Sequence, residues 1–285
     1  MLHYLLFAIN GLLMIALPLI MATFVARRYR AEWGLFGAGA ATFVASQLLH
    51  IPFNAFVEAR YLPEVTDEVI TLQLVLVALF YGLSAGVFEE LARYVTYRFW
   101  RRDARSWSQG LMVGAGHGGI EAIILGLLFI VNTSVVLGIG RGYFTELVPA
   151  DLLPEVQTQA AALLALPWYE KLLGGVERGF SILVHLALSL MVMRSVRFDS
   201  GRWLLLAIVW HALSNAAALI TIVQFGALVA ELIIGLFALL SLWLIYQWRD
   251  QIIEEAEVGA APPHLPLIRL ESQEIERKLD ESRYV

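Results

Sequence analysis

Seven stretches of about 20 apolar residues, the length that crosses a bilayer as a helix, take up most of the sequence. They lie near 4–26, 33–57, 69–97, 107–138, 177–194, 203–223 and 227–247. Only 16% of the 285 residues are charged, against roughly 25% in a soluble domain, so most of this chain does not face water. The pattern predicts an all-α polytopic membrane protein, a seven-helix transmembrane bundle. With no cysteine, disulfide scaffolds and thiolate chemistry are excluded. The net charge of -5 arises mostly after Arg249, where Asp250, Glu254, Glu255 and Glu257 begin an acidic run; it gives no case for nucleic-acid binding.

Orientation follows from the basic residues. Arg27, Arg28 and Arg30 follow the first stretch, Arg98, Arg101, Arg102 and Arg105 the third, Arg194, Arg197 and Arg202 the fifth, and Arg249 the seventh. The alternate connections hold only Arg60, Arg141, Lys171 and, at a helix start, Arg178. The expected arrangement has the N-terminus outside and the C-terminus in the cytoplasm of a bacterial-type membrane. The first stretch reads as a retained helix, because its bases follow rather than precede it. Segment 139–176 is an outer loop in which 155–173 reads as an amphipathic surface helix broken near Pro167. Residues 1–249 then form the bundle, with a core at about 69–223. Residues 250–285 form a polar cytoplasmic tail, broken at Pro262 and Pro263, with a short helix around 270–282.

Polar groups inside the stretches are the informative ones, since burying an ionisable group in hydrocarbon costs several kcal/mol and usually marks a site or pathway. The third holds Glu89, Glu90 and Arg93; the fourth His117 and Glu121; the fifth Glu177, Arg178 and His185; the sixth His211 and Asn215. Counting from the basic flanks at about 1.5 Å per residue puts Glu89, His117, His185 and His211 all roughly 12–15 Å deep. One cavity in the cytoplasmic half would explain this shared level. Glu89 with Arg93, His117 with Glu121, and His211 with Asn215 are each four residues apart and share a helix face. Gly110, Gly114 and Gly118 form a small-residue stripe that permits close helix approach. His3, His50, His264 and Glu231 are given no role.

The Glu89-Glu90-x-x-Arg93 run, the His on the next helix and the later His211-x-x-x-Asn215 resemble the superfamily of CAAX-type prenyl endopeptidases and bacteriocin-processing membrane proteases. His117-Gly-Gly-Ile-Glu121 and the Glu177-Arg178 pair ahead of His185 are most similar to its bacterial YhfC branch of intramembrane peptidases. The likeness covers about 82–220. His-Glu-x-x-His, Gly-x-Gly-Asp and Gly-x-Ser-Gly are absent from the sequence.

The resemblance implies a glutamate-type endopeptidase acting on a membrane-associated peptide or protein among membrane lipids. It makes Glu89 the general base and has His117 help hold the attacking water. Glu90 and Arg93 then form a supporting ion pair, and His211 and Asn215 donate hydrogen bonds to the oxyanion. His185, Glu121 and Glu177 support these groups, and no cofactor is needed. Two other readings stay open. In one, His117, His185, His211 and a glutamate bind zinc in a metallopeptidase. In the other, the same residues serve a transporter or non-catalytic scaffold.

Overall fold

Helix boundaries follow local signals at several ends. The fourth helix starts at Ser106, whose hydroxyl accepts from the Gln109 backbone N–H while the Gln109 side chain accepts from the Ser106 N–H at 3.0 Å. This Ser-x-x-Gln capping box satisfies two donors that a helix start leaves unpaired. The computed structural model describes residues 1–62 and 72–260. It contains α1 (Leu2–Tyr29), α2 (Trp33–Tyr61), α3 (Leu72–Val95) running into a π turn (Thr96–Trp100), α4 (Trp107–Gly140), α5 (Leu153–Ala165), α6 (Leu173–Arg197), α7 (Gly201–Phe225) and α8 (Ala227–Ala260). Among the described residues seven of these, all but α5, are long and apolar enough to cross a membrane. The expected all-α bundle is therefore present.

Two boundaries differ from the reading by hydropathy. Helix α6 begins at Leu173, a turn earlier than the apolar run, because Glu177 and Arg178 pair with each other and so are tolerated inside the span. Helix α8 runs on to Ala260, through the acidic residues; hydropathy falls there, but Glu, Gln and Ala are good helix formers. The helix expected around 270–282 lies outside the described residues. The amphipathic surface helix is α5, which ends at Ala165 just ahead of Pro167.

Helix α6 is the axis of the bundle: every residue from Val184 to Val196 is buried, and it packs against α1, α3, α4, α7 and α8. Small residues set its distance from α4. A β-carbon at Gly114 would lie 2.9 Å from the Leu186 Cα, and one at Gly118 would lie 2.7 Å from His185 Cδ2. Helix α7 approaches α3 in the same way, with a Gly82 β-carbon 2.3 Å from the Ala212 carbonyl oxygen. Without a hydrophobic force between helices in lipid, such close backbone approach is what holds them.

The arginine-rich ends of the helices gather at one end of the bundle. There the Trp107 indole donates to the Ile245 carbonyl at 2.9 Å, and Arg105 donates to the Tyr97 carbonyl at 2.9 Å. The Arg194 guanidinium lies 4.4 Å from the Trp203 ring and 5.3 Å from that of Trp248. Helix α5 rests at the other end, where Phe7, Val136, Leu137 and Ala160 form a small apolar cluster.

Candidate metal centre and active site

Four helices deliver the polar groups to one place. Glu89 and Glu90, neighbours on α3, point about 100° apart around the helix, and each finds its own partners. Glu89 faces α4 and α2: His117 Nε2 lies 3.0 Å from its Oε2, and the Gln47 amide donates to its Oε1 at 3.2 Å. Glu90 faces α7 and the next turn of α3. His211 Nδ1 lies 2.8 Å from its Oε1, and the Arg93 guanidinium donates to its Oε2. The side chains of Glu90 and Arg93 are both 0% exposed, so this ion pair is fully desolvated.

Hydrogen-bond chemistry fixes the state of two imidazoles. An arginine can only donate, so His185 Nδ1, 3.3 Å from Arg93 Nη2, accepts. His185 Nε2 then carries the proton and donates to Glu121 Oε2 at 2.8 Å. His211 donates from Nδ1 to Glu90, which turns its Nε2 toward Glu89 Oε2, 4.0 Å away. The rings form a row: His117 and His185 centroids are 5.3 Å apart, His185 and His211 centroids 5.4 Å.

Beyond His185 the network continues outward along α6. Arg178 donates to Glu121 Oε1 at 2.8 Å and also to the neighbouring Glu177. A cavity of about 90 Å³ adjoins the cluster and is lined by Glu89, Glu121, His185, His211 and Asn215 among others. Asn215 lies on its wall, four residues from His211, as the shared helix face predicts. The cavity leaves the cluster away from the arginine-rich end, whereas depth alone suggested a cavity on the arginine-rich side.

One ligand atom each from Glu89, His185 and His211 lie within 4.8 Å of one another, and all three residues are buried. Two imidazoles and a carboxylate are a zinc-binding set, as in catalytic sites that keep a fourth position for water. His117 is fully buried, and its Nδ1 has no hydrogen-bond partner. His185 thus sits between the other imidazoles, within the cluster rather than around it.

Sequence reasoning missed Gln47 and gave His50 no part. His50 lies 3.1 Å from Gln47 Oε1 and 3.2 Å from Ser84 Oγ, and thereby steadies the amide that reaches Glu89. The signal was the polar series Gln47, His50 and Asn54, spaced three and four apart in an apolar helix, which puts all three on one face.

The sequence matches, over residues 13–238, the family described as YhfC intramembrane metalloprotease. It is 38% identical over 249 residues to the uncharacterized membrane protein YhfC of Bacillus subtilis (strain 168), covering 84% of this chain and 93% of that protein. No solved structure matches. The expectation that the site needs no cofactor is not supported, because the family is described as metalloproteases and Glu89, His185 and His211 offer a metal-ligand group. By a match over residues 13–238, from within α1 to within α8, this chain belongs to the YhfC intramembrane metalloprotease family.

Proposed function

We propose that the protein is a metal-dependent intramembrane peptidase that hydrolyses a peptide bond of a membrane-associated polypeptide, with Glu89, His185 and His211 holding a divalent ion, zinc by the chemistry of the donor set. The observation that carries this reading is the convergence of those three ligand atoms within 4.8 Å. The surrounding groups fit it. Glu90 Oε1 accepts the hydrogen bond from the His211 Nδ1–H and leaves Nε2 for a metal, the carboxylate–histidine arrangement common behind zinc ligands. Bound there, the metal would polarise the scissile carbonyl and lower the pKa of water.

The chain's own residues divide the remaining work. Arg93 Nη2 lies 3.3 Å from His185 Nδ1; for His185 to ligate through Nε2 its proton would move to Nδ1, keeping the imidazole neutral, and the Arg93 guanidinium would turn away from Nδ1 while staying on Glu90. Glu121 Oε2 would then lose the His185 donor, and from the cavity lining it would take the proton of the attacking water. Its other oxygen stays fixed by Arg178. His117 and Gln47 orient the Glu89 carboxylate from the opposite side. Asn215, on the cavity wall, offers its amide to the developing oxyanion, where a donor in a low-dielectric site has its greatest effect.

A second reading keeps Glu89 as the general base with His117 holding the water and no metal. The direct 3.0 Å Glu89–His117 contact favours it. Metal analysis of purified protein separates the two. We expect about one zinc per chain, lost in His185→Ala and His211→Ala, and loss of membrane-protein cleavage on chelation with recovery on adding zinc. Metal-free protein whose activity survives chelation leaves only the glutamate reading. If membranes from cells making wild type and Glu89→Gln contain the same set of peptide fragments, both peptidase readings fail.

A further inference from the structure

We infer that the active centre is entered from the bundle end that carries the N-terminus and segment 141–152, opposite the arginine-rich end, so that its substrate is an unwound polypeptide segment presented at that membrane face. This rests on reading Glu89, His185 and His211 as the reacting centre, and it adds the direction of access.

Three observations point the same way. The first is the exposure of the acids along the network. Side-chain exposure rises from 0% at Glu90 and 7% at Glu89 to 20% at Glu121 and 34% at Glu177. Glu177 lies eight residues from His185, or about 12 Å along the helix, on the side away from the arginines. The second is the course of the cavity. Its lining passes from His185 to Ser181 and Glu177 on α6, and from His211 to Asn215 and Ala218 on α7; both sequences run toward the N-terminal end of the bundle.

The third is what closes the other side. Between the site and the arginine-rich end lie Tyr97, Met112, Leu188, Met191 and Met193, each 0% exposed. The Tyr97 hydroxyl lies 2.7 Å from Ser189 Oγ, which donates to the Gly110 carbonyl at 2.7 Å. A packed core of this kind has few voids wider than a water molecule, so no peptide passes through it. The open side, by contrast, is rimmed by Glu177, Arg178 and Glu121. These can hydrogen-bond an extended backbone whose own helical bonds have been broken, which hydrocarbon cannot do.

The native chain has no cysteine, so single cysteines report access without background. Ser181→Cys and Ala218→Cys are placed in the cavity wall, Glu146→Cys on the exposed loop at the N-terminal end, and Arg102→Cys on the exposed loop at the arginine-rich end. A membrane-impermeant maleimide is applied to right-side-out and to inverted vesicles, and bound zinc is measured in the same preparations. We expect Ser181→Cys and Ala218→Cys to label in the vesicle orientation that labels Glu146→Cys, and not in the one that labels Arg102→Cys. Labelling from the Arg102 side, from both sides, or from neither while denatured protein labels fully, overturns the inference. Labelling needs no turnover, so a wrong direction with zinc retained rejects the access route alone. Correct labelling with no zinc rejects the metal reading and leaves the route standing.

Discussion

Replacing Glu90 with glutamine tests whether the buried ion pair or the neighbouring Glu89 carries the structural load. In the wild type, Glu90 serves two donors at once, Arg93 through Oε2 and His211 Nδ1 through Oε1. A glutamine offers a single oxygen, so one donor must face its NH2 group. Arg93 has only His185 Nδ1 as a further hydrogen-bond partner among these contacts, and its Nε already lacks one. Breaking a buried pair by removing one charge costs about 3–5 kcal/mol. At about 2–4 °C per kcal/mol for a chain of 150–250 residues, Tm should fall by roughly 6–20 °C. Glu89→Gln, whose partners are a neutral amide and an imidazole, should melt close to wild type yet lose activity and zinc. Tryptophan fluorescence during heating in detergent gives both Tm values. The double variant Glu90→Gln/Arg93→Met should regain part of the loss, because the orphaned charge is gone. Glu90→Gln melting within about 2 °C of wild type, or a double variant less stable than Glu90→Gln, would refute the argument from desolvated charge.

Two further outcomes follow from the geometry. Gly118→Ala puts a β-carbon 2.7 Å from His185 Cδ2; it should cost about 1–3 kcal/mol by overpacking and lower zinc occupancy, read by melting and metal analysis. In the loop between α3 and α4, the Arg101 hydrogen bond holds the Asp103 carboxyl below its usual 3.8, at about 2. A depressed carboxyl stabilises the fold above its unfolded pKa and loses that contribution as the pH falls through the folded one. The small Tm difference between wild type and Asp103→Asn should therefore be present at neutral pH and vanish between about pH 4 and pH 2.

The helices themselves were legible in the sequence. A run of about 20 apolar residues has one stable form in a bilayer, and that constraint acts segment by segment without reference to the rest of the chain. The polar level was legible for a related reason. Rise per residue is fixed in a helix, so equal counts from the flanks bring Glu89, His117, His185 and His211 to one depth. The close approach at Gly114 and Gly118 could likewise be expected from their spacing.

Depth, however, says nothing of rotation about a helix axis, and only packing decides that. The closeness of α7 to Gly82 and of α6 to Gly118 turns His211 onto Glu90 and His185 onto Glu121, so that Glu89 is left to His117 and Gln47. Gln47 comes from an outer helix whose polar residues mean nothing until α2 packs beside α3. The ligand group of Glu89, His185 and His211 and the side on which the cavity opens are of this kind too. Each depends on side chains from separate helices meeting in space, and no spacing along one helix encodes which of its faces will be covered.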